Sequence, residues 1–196
     1  MKIIIATNNE GKVKEIKAIL NGHNVVSQKQ EGIHTEPIED GTTFAENALI
    51  KARALKELTD CAVIADDSGI EVDALGGAPG IYSARFAGED GTPDDCNKKM
   101  LESLKGLPFE KRSARYVCCM ALILPDGSEH TFSGTCEGYL IDEMRGTNGF
   151  GYDPMFYVPS LNQTFGEADS EVKDKISHRY NALKQVLDFL TKNNEQ

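Results

Sequence analysis

The chain has 196 residues, of which 40% are hydrophobic and 27% charged, so it can form a folded core and is not a disordered chain. The formal net charge of −10 at pH 7 argues against nonspecific binding to nucleic acid, which needs a basic surface. No apolar run approaches the roughly 18 residues that span a membrane, and MKIIIAT lacks the length and cleavage site of a signal peptide. We therefore expect a cytoplasmic protein without a nucleic-acid or membrane partner.

The first third of the chain has the pattern of an α/β protein. Met1–Ala6 predicts a strand buried on both faces, because three isoleucines follow one another. After the polar turn TNNEGK, apolar residues at helical spacing predict a helix from Val13 to Leu20. A second helix is expected at Thr43–Leu58, and CAVIADDSG predicts an apolar strand that ends at two carboxylates.

The rest of the chain alternates glycine-rich loops with regular elements. GIEVDALGGAPGIYSARFAG and GTNGFGYDP predict loops, the first with short strand pieces. Pro93–Leu104 predicts a helix, and two long strands, Arg112–Leu124 and Ser128–Leu140, flank a turn at Asp126-Gly127. A last helix is expected from about Ser177 to Lys192. Because no repeat or linker interrupts the sequence, we expect residues 1–196 to form a single domain, with two lobes around a cleft.

The turn TNNEGK is the first candidate for chemistry. It precedes a helix, whose N-terminal NH groups favour phosphate, and Thr7, Asn9 and Lys12 could add side-chain contacts. It is not a Walker A loop, since GxxxxGK[ST] is absent. An ordinary capping turn with a solvated lysine explains the hexapeptide equally well.

Two acidic motifs could hold a metal ion. Asp66-Asp67-Ser68-Gly69 follows an apolar strand, and Mg²⁺ takes one or two carboxylates together with water and phosphate oxygens. One carboxylate could instead activate the attacking water. A turn with solvated aspartates is the alternative, but the buried strand favours function. Glu39, before the second helix, could add a ligand or only favour the helix N-terminus.

Two further segments could bind a base and phosphates. Gly149 to Pro154, GFGYDP, places aromatic side chains between glycines and beside a carboxylate, an arrangement that can stack on a nucleobase. Lys173, His178 and Arg179 can bind phosphate or a base carbonyl. Taken alone, the first segment is also typical of a tight turn whose aromatic residues belong to the core, and the second set is more often a solvated helix start capped by Ser177.

Together, TNNEGK, EDGTTFAENALIKARAL, ADDSGIEVDALGGAPGIYSARFAG, GFGYDP and KDKISHRYNAL closely resemble the inosine triphosphate pyrophosphatase family, over nearly the whole chain. The resemblance implies an α/β fold with a mixed central sheet flanked by helices, two lobes with a substrate cleft between them, and a homodimer. It implies Mg²⁺-dependent hydrolysis of nonstandard purine nucleoside triphosphates (ITP, dITP and XTP) to the monophosphate and pyrophosphate.

The resemblance also implies roles for individual residues. Asp67 would be the catalytic proton acceptor and a magnesium ligand, and Glu39 the second acidic ligand, a role that Asp40 or Asp66 could share. The substrate-binding residues would be Thr7, Asn8, Asn9, Glu10, Gly11 and Lys12 for the phosphates, and Phe150, Gly151, Tyr152 and Asp153 around the base. Ser68 and Lys173 would contact the substrate, and His178 with Arg179 would bind the edge of the base.

The residue roles that the resemblance implies would favour purines with an oxygen at position 6. Hypoxanthine and xanthine present O6 as an acceptor, to which Arg179 could donate, whereas adenine presents an amino group there. A buried donor left unpaired costs about 1–3 kcal/mol.

Two rival functions remain. One is a pyrophosphatase for modified pyrimidine triphosphates, which a substrate panel would distinguish, and the other is a nucleotide-binding sensor without catalysis. Glu39, Asp66, Asp67 and Lys12 favour an enzyme over a sensor.

Overall fold

The structure, a computed structural model, describes residues 1–194. Within this range the chain forms seven strands and five α-helices. In chain order they are β1 (Lys2–Ile5), α1 (Glu10–Ile19), β2 (Asn24–Ser27), α2 (Phe44–Lys56), β3 (Ala62–Val72), α3 (Pro93–Ser103), β4 (Ser113–Ile123), β5 (Glu129–Leu140), β6 (Phe156–Val158), β7 (Gln163–Thr164), α4 (Ser170–Lys173) and α5 (His178–Asn194).

The strands form one mixed sheet in the order β2-β1-β3-β4-β5-β6-β7. β1 pairs in parallel with both β2 and β3, and Ile3 lies opposite Val25 and Ala62 in these two ladders. At the other end of the sheet, β6 is antiparallel to β5 and to β7. The expected α/β class with a mixed central sheet and flanking helices is therefore confirmed.

One sequence-based boundary was wrong, and it concerns the two adjacent carboxylates. We expected the strand after Cys61 to end at Asp66-Asp67, but β3 continues without interruption to Val72. The glycine and the polar residues that suggested a turn are tolerated here, because Ile70 and Val72 are fully buried and continue the apolar pattern of the strand. The two aspartates therefore lie in the middle of a strand. The short elements β2, β6, β7 and α4 were not predicted.

The helix starts follow the capping chemistry of the sequence. The Asn9 side chain accepts a hydrogen bond from the backbone NH of Lys12 at the start of α1. Thr43 caps α2 in the same way. Thr92 and Asp95 form a reciprocal capping box at the start of α3, where Pro93 occupies the first turn. Each cap satisfies backbone NH groups that a helix leaves without partners.

The chain folds into two compact units. Unit 1 contains residues 1–67, 118–134 and the chain from His178 onward; unit 2 contains residues 68–117 and 135–177. Among residues 1–194, no helix is long and apolar enough to cross a membrane.

In unit 1 both faces of the strands are buried, as the run of isoleucines predicts. Ile3 and Ile5 belong to a cluster that includes residues of α1 and α5, such as Ile16 and Val186. Ile4, between them, belongs to a second cluster with residues of α2, Ala48, Ala52 and Leu55. Successive side chains of a strand point to opposite faces, so helices cover β1 on both sides.

Unit 2 has a core of its own, rich in aromatic residues. Tyr116 and Phe156 lie 4.6 Å apart between ring centroids, and Phe156 lies 5.3 Å from Phe165. Met100 of α3 and Ile70 of β3 are fully buried in the same cluster. This core supports the segment that contains GFGYDP.

Candidate functional site

Asp66 and Asp67 of β3 have different surroundings, because neighbours on a strand point to opposite faces of the sheet. Asp66 continues the alternation of Ala62 and Ile64, whose cluster includes residues of α1 and α5. Asp67 continues that of Val63 and Ala65, whose cluster includes residues of α2. Each carboxylate therefore forms its direct ion pairs with different helices of unit 1.

Asp66 is held in a buried ion-pair network. Its Oδ1 lies 3.2 Å from Nζ of Lys12, and its Oδ2 accepts a hydrogen bond from Nη2 of Arg179 at 3.1 Å. Arg179 is itself fully buried and donates through Nη1 to Glu15. Burial has the largest single effect and raises the pKa of Asp66, but Lys12, Arg179 and Lys51 together outweigh it, and the result is a pKa well below the usual range of a carboxyl. Asp66 is therefore a permanent anion at neutral pH.

Asp67 faces a different cation, Lys51 of α2. Nζ of Lys51 lies 2.8 Å from Oδ1 of Asp67 and 2.9 Å from Oε2 of Glu39, so one ammonium joins the two carboxylates. The other carboxylate oxygen of Asp67, Oδ2, is buried, and no group in residues 1–194 hydrogen-bonds to it. Burial raises the pKa of Asp67 above its ordinary value, although Lys51 opposes that shift.

Lys51 and Glu15 were missed in the sequence analysis. Burial has the largest single effect and lowers the pKa of Lys51, but Asp67, Asp66 and Glu39 together outweigh it, so that the pKa ends above its ordinary value. A sequence signal for Lys51 did exist, since it follows Ala48 by three residues and therefore lies beside the buried stripe of α2. A charged side chain beside an apolar stripe is partly buried, and a buried charge is stable only when a group of opposite charge pairs with it. Glu15 has no comparable signal, because its partner Arg179 comes from the other end of the chain.

The turn TNNEGK combines both of the interpretations that the sequence left open. Asn9 caps α1 and Thr7 accepts a hydrogen bond from the backbone NH of Asn9, as in an ordinary capping turn. Asn8 accepts a hydrogen bond from Gln28 at 2.8 Å. Lys12, however, is not solvated: its side chain is 16% exposed and pairs with Asp66. Glu10 and Gly11 form the first turn of α1.

In unit 2, Asp153 connects the residues expected around a base. Its Oδ2 accepts hydrogen bonds from the backbone NH of Phe150 and from Nζ of Lys173, both at 2.8 Å, and its Oδ1 accepts one from the hydroxyl of Tyr116 at 3.1 Å. The Lys173 ammonium lies 4.7 Å from the ring centroid of Phe150. Lys173 and Asp153 are both almost fully buried. The predicted residues Phe150, Asp153 and Lys173 thus form one contiguous group.

Backbone geometry and two further contacts shape the GFGYDP segment. A Cβ on Gly149, whose φ is +73°, would lie 2.0 Å from Oδ2 of Asp153, so only glycine allows this close approach. The carbonyl of Gly151 accepts a hydrogen bond from the Asn97 side chain at 3.1 Å. Tyr152 is buried and its hydroxyl donates to the carbonyl of Ser83, so Tyr152 belongs to the support of the segment.

The remaining candidates belong to different units. Ser68 is the first residue of unit 2 along β3, whereas His178 and Arg179 begin α5 in unit 1. His178 is buried, 4% exposed. α5 comes so close to β5 that a Cβ on Gly134 would lie 2.3 Å from the backbone oxygen of His178. The expectation that Arg179 hydrogen-bonds a base stays a prediction, because the structure pairs Arg179 with Asp66 and Glu15.

The carboxylates of unit 1 are compatible with a magnesium site. In the part of the chain that the structure describes, no three His, Cys, Asp or Glu residues group together as a complete protein metal site. Mg²⁺ rarely needs one, since it keeps several waters and uses one or two carboxylates plus phosphate oxygens. Asp67, with a buried oxygen that lacks a hydrogen-bond partner, and Glu39 provide this kind of donor set.

Comparison with known proteins identifies the family. A model of the Ham1 family matches residues 3–189. The chain is 51% identical over 194 residues to a dITP/XTP pyrophosphatase of Desulforamulus reducens, covering 98% of this chain and 96% of the relative. It is 50% identical over 191 residues to a dITP/XTP pyrophosphatase of Bacillus licheniformis, covering 96% and 97% of the two chains.

Solved structures of Ham1 proteins are similar to this fold. A Ham1 protein of Staphylococcus aureus matches with a TM-score of 0.88 at 41% identity, covering 98% of this chain and all of the other. A nucleoside-triphosphatase of Mycobacterium abscessus, also described as a dITP/XTP pyrophosphatase, matches with a TM-score of 0.75 at 39% identity, covering 95% and 99% of the two chains. The resemblance inferred from the motifs is confirmed, and the chain belongs to the Ham1 family.

Proposed function

We propose that this chain is a dITP/XTP pyrophosphatase, which hydrolyses nonstandard purine nucleoside triphosphates to the monophosphate and pyrophosphate with Mg²⁺ as cofactor. Relatives that are about half identical over nearly the whole chain carry this activity in their names. The observation that carries the chemistry is Asp67, a carboxylate with a raised pKa and a buried oxygen available to a further ligand.

The metal-binding residues in this proposal are Asp67 and Glu39. When bound, Mg²⁺ would neutralise charge on the phosphate oxygens and favour departure of pyrophosphate. Asp66 is the poorer candidate ligand, because Lys12 and Arg179 already neutralise it. Glu39 is joined to Asp67 through Lys51, which supports its role over that of Asp40.

Asp67 also orients the attacking water and accepts its proton. A general base works best when its pKa lies near the working pH, and the upward shift at Asp67 is in that direction. Lys12 supplies positive charge for the phosphates, together with Thr7, Asn8, Asn9, Glu10 and Gly11 of the same turn. The ion pair with Asp66 keeps the Lys12 ammonium in a defined position.

We assign recognition of the base and sugar to residues of the later motifs. Phe150 offers an aromatic face for stacking, worth about 1–3 kcal/mol in nucleic-acid complexes. Asp153 orients Phe150 through its backbone NH and Lys173 through its ammonium. The other residues in this assignment are Ser68, Gly151, Tyr152, His178 and Arg179. Donors near O6 would favour hypoxanthine and xanthine over adenine, whose amino group would leave them unpaired.

The first experiment is a substrate panel. Purified protein with Mg²⁺ is incubated separately with ITP, dITP, XTP, ATP, GTP, dTTP and UTP, and pyrophosphate and orthophosphate are both measured. We expect pyrophosphate from ITP, dITP and XTP and little from ATP or GTP. Activity confined to pyrimidines would identify a pyrimidine pyrophosphatase, and binding of ITP without any product would identify a sensor.

The second experiment tests Asp67. Asp67→Asn keeps the size of the side chain but removes the base and a metal ligand, so we expect kcat for dITP to fall by about 100- to 10,000-fold. Asp142→Asn is the matched control, because Asp142 is 78% exposed and lies outside the proposed site. A fully active Asp67→Asn enzyme would exclude this mechanism.

Three expectations from the sequence stay predictions: that residues 1–196 behave as a single domain, that the protein is a homodimer, and that it acts in the cytoplasm. Sedimentation of the purified protein measures the second of these directly.

A further inference from the structure

Lys51 lies between the two carboxylates that we assign to the metal. Its ammonium is 2.8 Å from Asp67 and 2.9 Å from Glu39, and its side chain is 14% exposed. α2 provides a rigid base for this contact, since Ala48 and Ala52 on either side of Lys51 are fully buried. Packing of α2 therefore fixes the backbone position of Lys51, and the two carboxylates hold its ammonium.

The carboxylates assigned to the metal pair with a different cation from those of Asp66. Asp66 is paired with Lys12 and Arg179. The ion pairs that Asp67 and Glu39 make within the described part of the chain are with Lys51. A dication attracted to Asp67 and Glu39 therefore meets carboxylates that already share a positive charge, in a partly buried place where like charges repel strongly.

We propose that Lys51 competes with Mg²⁺ for Asp67 and Glu39 and so makes tight metal binding depend on the nucleotide. The inference rests on the proposed function, because it takes Asp67 and Glu39 as the metal ligands. Without nucleotide, the ammonium neutralises both carboxylates and weakens their attraction for free Mg²⁺. A triphosphate brings anionic oxygens that accept hydrogen bonds from the ammonium and also complete the coordination of the metal.

This arrangement has a thermodynamic consequence. If the nucleotide strengthens metal binding by some factor, the metal strengthens nucleotide binding by the same factor. Part of that coupling comes from Lys51, which leaves the carboxylates for the phosphates. The device prevents the site from filling with metal alone and favours arrival of the nucleotide as its magnesium complex.

The test measures metal affinity directly, without turnover. Mn²⁺ replaces Mg²⁺ because it also prefers carboxylate, water and phosphate oxygens, and free Mn²⁺ is counted by electron paramagnetic resonance. We expect Lys51→Met to bind Mn²⁺ about tenfold more tightly than the wild type in the absence of nucleotide, a change of 1.4 kcal/mol. Lys51→Arg, which keeps the charge, should bind as weakly as the wild type.

The matched control is Lys56→Met on the same helix. The ammonium of Lys56 donates to the backbone oxygens of Thr59 and Cys61 and not to a carboxylate, so this variant should leave Mn²⁺ affinity unchanged. Lys51→Gln provides a second neutral variant if Lys51→Met does not fold, and near-UV circular dichroism checks the packing of each protein.

The second readout is the coupling between metal and nucleotide. With a dITP analogue whose α,β-bridging oxygen is replaced by NH, the gain in Mn²⁺ affinity should be severalfold smaller in Lys51→Met than in the wild type. The inference is overturned if the folded neutral variants bind Mn²⁺ no more tightly than the wild type. The proposed function fails separately, if wild-type protein releases no pyrophosphate from dITP with Mg²⁺.

Discussion

The buried ion pairs of Asp66 make a strong prediction about stability. Asp66→Asn preserves the shape of the side chain, so no cavity forms, but it removes the anion between Lys12 and Arg179. Asp66 and Arg179 are both almost completely buried, and Asp66 lies 3.1 Å from Nη2 of Arg179. Breaking a buried pair by removing one partner costs about 3–5 kcal/mol.

We expect the lower end of that range, about 3 kcal/mol, because Arg179 keeps its ion pair with Glu15. For a chain of this length, each kcal/mol lowers the melting temperature by roughly 2–4 °C, so the expected decrease is about 6–12 °C. Circular dichroism at pH 7 follows both assays, urea unfolding for the free energy of unfolding and thermal unfolding for the melting temperature.

An ion pair whose carboxylate is exposed to solvent provides the control. Asp142 is 78% exposed and lies 3.8 Å from Arg112, so Asp142→Asn should cost about 1 kcal/mol or less. A double-mutant cycle with Arg179→Met isolates the pair itself, and the two substitutions should interact by more than 1 kcal/mol. A cost below about 1 kcal/mol for Asp66→Asn, or additive effects in the cycle, would refute the argument.

Three further predictions follow from the same contacts. The pKa of Asp66 is lowered in the folded protein, so its contribution to the free energy of unfolding is complete above the unfolded pKa of about 3.9 and is lost as the pH falls toward the folded pKa. In urea unfolding from pH 7 to pH 3, the difference in stability between wild type and Asp66→Asn should therefore shrink only below about pH 4. Gly134→Ala would place a Cβ 2.4 Å from the backbone nitrogen of Ala182 and should destabilise the protein by about 1–3 kcal/mol in thermal unfolding. Tyr116→Phe removes a donor to Asp153 and should cost about 0.5–1.5 kcal/mol while raising KM for dITP more than it lowers kcat.

Each of these predictions can be contradicted, and the last two have a control in the chain. A gap between wild type and Asp66→Asn that is constant from pH 7 to pH 3 would contradict the first. Gly22→Ala should be nearly neutral, because a Cβ there meets nothing within 4 Å; equal losses at Gly22 and Gly134 would contradict the second. Tyr82 is 55% exposed, so Tyr82→Phe should leave KM unchanged, and the third prediction fails if Tyr116→Phe behaves in the same way.

The local sequence determined much of the fold. Capping residues and helical spacing located α1, α2, α3 and α5, and consecutive apolar residues identified β1 as a doubly buried strand. These features depend on neighbours within a few residues, which a sequence displays. The motifs also sufficed for the family, because they extend through nearly the whole chain.

The tertiary structure decided what each charged residue does. The sequence left open whether Asp66 also binds the metal, and the structure separates the two aspartates: the pleat of β3 directs them to different helices and their pKa values shift in opposite directions. The role of Arg179 at the base stays a prediction, but its pairing with Asp66, 113 positions away, was visible only in the fold. The helical spacing placed Lys51 beside a buried stripe, but only the fold showed that it pairs with Asp67 and Glu39. Charges act through space, so their partners depend on which elements the fold brings together, and that information is absent from any local stretch of sequence.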